Sequence, residues 1–159
     1  MAVVSEVGDD RSMEWWDLLL EEMAAEAAAY EADGWQTLAL HTGDVTPRDG
    51  SVDELALDVL IPDNEFATLE TALEDGVDSY DLLLSTPDEY VAFVIVLENT
   101  ARELAVFVPA YYSRRDDAAA TLLRKAVDAG ELPLVLRTLT DDRVELSLDD
   151  PELFLADEQ

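Results

Sequence analysis

Cysteine is absent from this chain, histidine occurs once, as His41, and lysine once, as Lys125. Without a thiol there is no disulfide framework and no thiolate nucleophile. A structural zinc site needs three or four clustered ligands, His and Cys foremost, which one histidine does not supply. A Ser–His–Asp arrangement would have to use His41, and no Gly-x-Ser-x-Gly turn presents a serine. The six glycines include no Gly-x-Gly pair, so the glycine patterns that cradle phosphates and dinucleotides are missing. The acid-rich stretch 44–54 lacks the spacing of a calcium loop. No apolar run approaches the roughly 20 residues of a membrane helix. The opening MAVVSEVGDD shows no basic-then-apolar leader. These gaps lead us to expect no metal, no cofactor, no membrane and a cytoplasmic location.

What is abundant is carboxylate. Asp and Glu number 38 against nine basic residues, for a formal net charge of -29 over 159 residues. Such a charge repels itself and opposes compaction until salt screens it, the Debye length falling to roughly 3 Å at 1 M. Short hydrated acids with almost no lysine, whose long apolar stem is lost from the surface, suit a cytosol full of concentrated salt. Arginine is kept, since its planar fork makes better paired contacts. The acids run from Glu6 to Glu158, so they are not concentrated as in a mimic of a nucleic-acid backbone. Disorder is excluded by composition, because 49% of residues are hydrophobic and the mean hydropathy is -0.01. With so many carboxylates, no pair stands out for general acid–base work.

The length suits one domain over 1–159, read as a flexible tail over 1–11, a helix over 12–33 and an α+β body over 35–154. Ser12 is placed to cap the helix. Trp16, Leu19, Leu20, Met23, Ala27 and Tyr30 recur on one face, Trp15 and Leu18 widen it, and Gly34 follows the last turn. That stripe packs a core or docks a partner. Strands are expected at 35–42 and 55–61, with a Pro47- and Gly50-containing exposed loop over 43–53 between them. A short helix capped by Asp63 or Asn64 and closed by Gly76 comes next, then strands at 80–85 and 90–97. A strand over 104–108 stops at Pro109, Ser113 caps a helix over 114–129, and Gly130 closes it. Strands at 134–140 and 144–148 precede a turn from Pro151 that packs Leu153 and Phe154.

This order hides a faint repeat. LDVLIP at 57–62 parallels LAVFVP at 104–109, and each leads into a helix, a glycine and two strands. The expected fold is α+β: an N-terminal helix, a mostly antiparallel sheet of about six to seven strands, and two further helices. A duplicated strand–helix–strand–strand module would give a pseudo-twofold sheet with both helices on one face. The first helix would join that face or cap an end. Duplicated modules of this type occur in gyrase-inhibitor-like domains, which bind small molecules between repeats, but fold analogy does not fix function.

One segment departs from the acidic background. Residues 102–125 hold five of the nine basic residues, Arg102, Arg114, Arg115, Arg124 and Lys125, against three acids. Within it, Tyr111, Tyr112, Ser113, Arg114 and Arg115 are expected at a strand end and a helix start. Free helix N–H groups, bidentate arginines and flat tyrosines would suit a small anionic ligand or an acidic or phosphorylated segment of a protein partner. A purely structural use competes: the arginines pair with nearby acids, and one tyrosine of the two points into the core. Nucleic acid is not expected, since the basic patch is small and the surrounding field repels phosphate.

Several of these pieces together resemble a family of small acidic haloarchaeal proteins with no assigned function. They are the Trp-containing first helix ending at Gly34 and Trp35, HTGDVT at 41–46, LDVLIPDNEF at 57–66, FVPAYY at 107–112 and DDPELF at 149–154. The resemblance spans residues 13–154 and implies no activity, cofactor or catalytic residue. The expectation is therefore a non-enzymatic small-ligand or protein-binding module, regulatory in role and adapted to a high-salt cytosol. Residues 111–115 and His41 are its candidate contacts. The alternatives are an enzyme of unrecognised type, using a carboxylate, His41 or a tyrosine in a cleft, and a structural subunit of a larger assembly.

Overall fold

The computed structural model describes residues 14–52, 54–87 and 89–158; the expected tail and the Ser12 cap lie outside them. In chain order the elements are α1 (Glu14–Ala32), β1 (Gln36–Ala39), β2 (Val45–Arg48), β3 (Ala56–Leu60), α2 (Asp63–Ala72), β4 (Ser79–Ser85), β5 (Tyr90–Asn99), β6 (Leu104–Ser113), α3 (Asp117–Ala129), β7 (Glu131–Arg137) and β8 (Arg143–Asp149). A 3-10 helix, Pro151–Glu158, follows. None of the described helices is long and apolar enough to cross a membrane.

The fold is α+β, but the strands form two four-stranded mixed sheets in place of one antiparallel sheet. The first has the order β1-β6-β5-β4 and the second β2-β3-β7-β8. β1 runs parallel to β6, and β3 runs parallel to β7; the remaining pairs are antiparallel. The expected element order, strand–helix–strand–strand twice, is present as β3-α2-β4-β5 and β6-α3-β7-β8. Its pairing is exchanged: β3 joins the β7–β8 hairpin, while β6 joins β5 and β4. A single pseudo-twofold sheet cannot form from that exchange.

The run at 91–97 is apolar throughout because the first sheet is covered on both faces. Phe93, Ile95 and Leu97 face a large core shared with Leu57, Val59, Leu132, Leu134, Leu136, α2, α3 and Phe154. Ala92, Val94 and Val96 face the other way, beneath Leu19 and Met23 of α1. So α1 neither joins the other helices nor caps an end. Leu18, assigned by periodicity to the apolar stripe, is 60% exposed, and Leu153 is exposed while Phe154 is buried.

Both prolines expected to interrupt strands are accommodated by direction. Leu60 N–H donates to the Asp44 carbonyl, so the even-numbered β2 residues face β3 and Pro47 turns its nitrogen to the open edge. Residues 43–53 therefore include a strand where a loop was expected. In β6, the Phe107 carbonyl accepts from Leu40 N–H, and Pro109 faces the same side, beyond the point where β1 pairing ends. Its missing N–H costs the ladder nothing, and β6 continues to Ser113.

The caps also shift. Pro62 occupies the α2 N-cap with no side-chain hydrogen bond, leaving Asp63 and Glu65 in the first turn, where acids suit the helix dipole. Leu73 is the C-cap of that helix, and Gly76 (φ 90°) turns the chain a little later. Asp116, not Ser113, caps α3 by accepting from the N–H groups of Ala118 and Ala119. Arg114 and Arg115 thus precede the helix. Gly130 closes α3 at φ 82°, a left-handed backbone that glycine adopts without a Cβ clash.

Candidate functional site

Alternation along β6 sends the two tyrosines to opposite faces. Tyr111 lies under α1 in an aromatic cluster, its ring centroid 5.1 Å from Trp15, 5.5 Å from Trp16 and 5.5 Å from Tyr90. Tyr112 is buried in the shared core, 5.9 Å from Phe93. The Ser113 hydroxyl accepts from Arg115 N–H at 3.1 Å. Arg114 N–H donates to the Glu89 carbonyl at 2.7 Å. The Arg115 guanidinium, 82% exposed, sits 3.3 Å from the Glu89 carboxylate. A cavity of about 360 Å³ is lined by Tyr111, Tyr112 and Ser113, together with Asp44 and Asp116, while Arg114, Arg115 and His41 are not on its wall. Its charged groups are carboxylates, and Asp116 already takes the first N–H groups of α3. The geometry there works against an anion.

His41 stands apart, two residues beyond β1. Its ring is 85% exposed, with Nδ1 2.5 Å from Glu65 Oε2. Its backbone N–H donates to the other oxygen of the same carboxylate at 2.9 Å. Glu65 belongs to the first turn of α2, so this contact ties the start of α2 to the end of β1.

Beside that tie runs a groove of about 720 Å³. One wall is α2, through Ala67, Thr68, Thr71 and Ala72; the other is residues 35–38, with Glu31, Arg102 and Leu104 toward the far end. Leu38 packs on the shared-core side of the first sheet and Trp35 on the α1 side. A groove lined by both must follow the free edge of β1 itself. Arg102 is fixed at its end by Asp75, at 3.2 Å, and by its own N–H to Asn99 Oδ1 at 3.1 Å. Asn99 in turn donates to the Gly76 carbonyl at 3.1 Å. This site could not be found from the sequence: α2 and β1 are brought together only by the tertiary fold.

A second arrangement was also missed. Asp58 is 3% exposed although it lies on the face of the second sheet turned away from the core. Arg48 reaches Asp58 Oδ2 through Nε at 2.8 Å and Nη2 at 2.6 Å. Arg137 Nε lies 2.9 Å from both oxygens. A small polar cavity of about 430 Å³ beside it takes in Glu54, Arg143 and Glu145, and Arg143 is held by Asp141 and Glu145. The available signal was a lone acid inside an otherwise apolar strand, residues 55–61.

The family DUF7529, described as a family of unknown function, matches residues 4–156. The chain belongs to DUF7529. No curated protein and no solved structure matches it.

For this DUF7529 protein the side chains must therefore speak for themselves. Among the described residues, no group of three or more His, Asp or Glu is arranged to hold a metal ion. The perturbed phenols are structural in their surroundings. Tyr30 donates to Glu98, and burial followed by that carboxylate pushes its phenol well above the usual range. Tyr80 donates to the carbonyls of Asp149 and Asp150; burial, then Asp150, Asp149 and Glu152, push its phenol up to about 12. Neither lines the groove. What the groove offers is shape, apolar surface, hydroxyls and an open strand edge, which are binding features.

Proposed function

We propose that this DUF7529 protein is a non-enzymatic binding module working in a concentrated-salt cytosol, with the β1–α2 groove as its binding site. The observation that carries this reading is the groove itself: a volume of about 720 Å³ walled by small side chains and an unpaired strand edge. A volume of that order falls in the range of pockets that take a specific ligand, roughly 300–1,000 Å³. The groove is favoured over residues 111–115 because that corner spreads its groups. Tyr112 packs mainly in the core, Tyr111 serves α1, and the two arginines lie outside the cavity that both tyrosines line.

The salt adaptation belongs to the same proposal and rests on the charge of -29. The one lysine is consistent with it: Lys125 Nζ donates to the Asp49 carbonyl at 2.8 Å, so it is used as a local clasp.

The test is a groove-filling variant, Thr71→Trp, compared with the parent in metabolite and peptide screens in molar KCl. Thr71 lines the groove, so the indole should fill it while the fold, followed by circular dichroism, is kept. The expected result is at least one bound species lost from the variant. Identical binding profiles for the two folded proteins would overturn the assignment of the groove.

A further inference from the structure

We infer that the occupant of the groove is an extended segment of a partner protein, alternating apolar and basic side chains, which adds a fifth strand to the free edge of β1. This rests on the groove being the binding site and names its partner.

The backbone of β1 carries the argument. Gln36 N–H donates to the Glu103 carbonyl at 2.9 Å and Leu40 N–H to the Phe107 carbonyl at 3.0 Å. Even-numbered residues thus turn their polar groups to β6, and by alternation Thr37, Ala39 and His41 turn theirs outward, away from β6, Thr37 on the wall of the groove. His41 N–H is already taken by Glu65. The N–H and C=O groups of Thr37 and Ala39 have no partner among the described residues. Four such groups on one short edge form a template for another strand.

The other three edges differ. β2 carries Pro47, β4 carries Asp81, and β8 carries Arg143, Glu145 and Asp149, devices that discourage pairing. The β1 sequence QTLA contains no proline and no charge.

Side-chain chemistry of the occupant follows from its two faces. A strand added about 4.8 Å beyond β1 would turn alternate side chains toward α2. There they meet Leu38, Leu104, Ala67 and Ala72, a surface for small apolar groups. The intervening side chains face the α1 side, where Glu31 stands beside Thr37. Glu31 on that face favours lysine or arginine there. A second copy of this chain would bring the same charge against itself, so a cationic partner is the better complement.

The experiment uses the full chain, labelled with nitrogen-15, at a KCl concentration that keeps it folded. The probes are the hexapeptides acetyl-VKVKVK-amide, acetyl-VEVEVE-amide and the first peptide N-methylated at alternate residues. The expected result is slowed amide exchange at Thr37 and Ala39 with the lysine peptide, which should bind roughly tenfold or more tightly than the glutamate peptide. N-methylation and Glu31→Gln should each weaken it. Equal binding of the N-methylated peptide would show a groove occupied without strand addition and would overturn this inference, leaving the groove as a binding site. So would binding of neither peptide alongside a metabolite lost from Thr71→Trp. Slowed exchange that tracks self-association would assign the edge to a second copy and also overturn it. Failure of Thr71→Trp to change any binding would instead sink the functional reading beneath it.

Discussion

Replacing Asp58 by alanine should be among the most damaging single changes to a polar residue in this protein. The carboxylate is 3% exposed and is gripped by Arg48 and Arg137. Removing one partner of a buried ionic group costs about 3–5 kcal/mol, because the remaining charges lose both their counter-ion and their water. Here the two arginine side chains retain 28% and 24% exposure, so each can turn partly to solvent. The lower end applies, about 3 kcal/mol, or about 150-fold in the folding equilibrium. The assay is urea unfolding of the parent and Asp58→Ala at two KCl concentrations. Since the triad is buried, its contribution should persist where salt has screened the surface charges. A fully apolar replacement, Asp58→Leu with Arg48→Met and Arg137→Leu, should come within about 1 kcal/mol of the parent. A loss below about 1 kcal/mol for Asp58→Ala would refute the reasoning, because exposed ion pairs are worth only that much. Disappearance of the loss in molar KCl would refute it equally.

Two further expectations follow from charge. In about 10 mM salt the Debye length is roughly 30 Å and the carboxylates repel across the whole surface, so the midpoint of thermal unfolding should rise steeply with added KCl; full stability in dilute buffer would remove the salt adaptation. Tyr80 should contribute to alkaline unfolding. Its phenol is held neutral up to about 12 in the folded chain, against about 10 unfolded. The folded state therefore binds the proton more tightly, and this contribution is full below about pH 10 and lost as the pH rises toward the folded value. Tyr80→Phe should flatten that part of the stability profile measured by urea titration; an unchanged profile would show that the phenol does not titrate with unfolding.

What could be read from the sequence is what depends on neighbours in the chain. The period of Leu19, Met23 and Ala27 marked α1, Gly130 marked the end of α3, and the apolar run 91–97 marked a core strand, though not that α1 would cover its second face. Direction was harder to read. Pro47 and Pro109 look like breakers until it is known which way their nitrogens face, and that depends on partners far away. Ser113 and Asp116 are both good helix caps; β6 claims the first and leaves the second. Asp58 is one acid among 38; its place inside an apolar strand hints at burial, but only the sheet brings the arginines at positions 48 and 137 to it. The groove was beyond reach for the same reason, since neither QTLA nor the small residues of α2 carry a motif. The two-sheet pairing was hidden because a repeat in sequence fixes the order of strands and says nothing of which half supplies each neighbour.

That exchange has a consequence for how the protein comes to exist. Each half holds a hairpin whose completing strand lies in the other: β4–β5 waits for β6, and β7–β8 waits for β3. A nascent chain that has emerged only through β5 has two helices and the pairs β2–β3 and β4–β5 but no closed core, and β3 gains its second neighbour only when β7 arrives more than 70 residues later. Completion of the second sheet must wait for that pairing, and such non-local parallel pairing is slow.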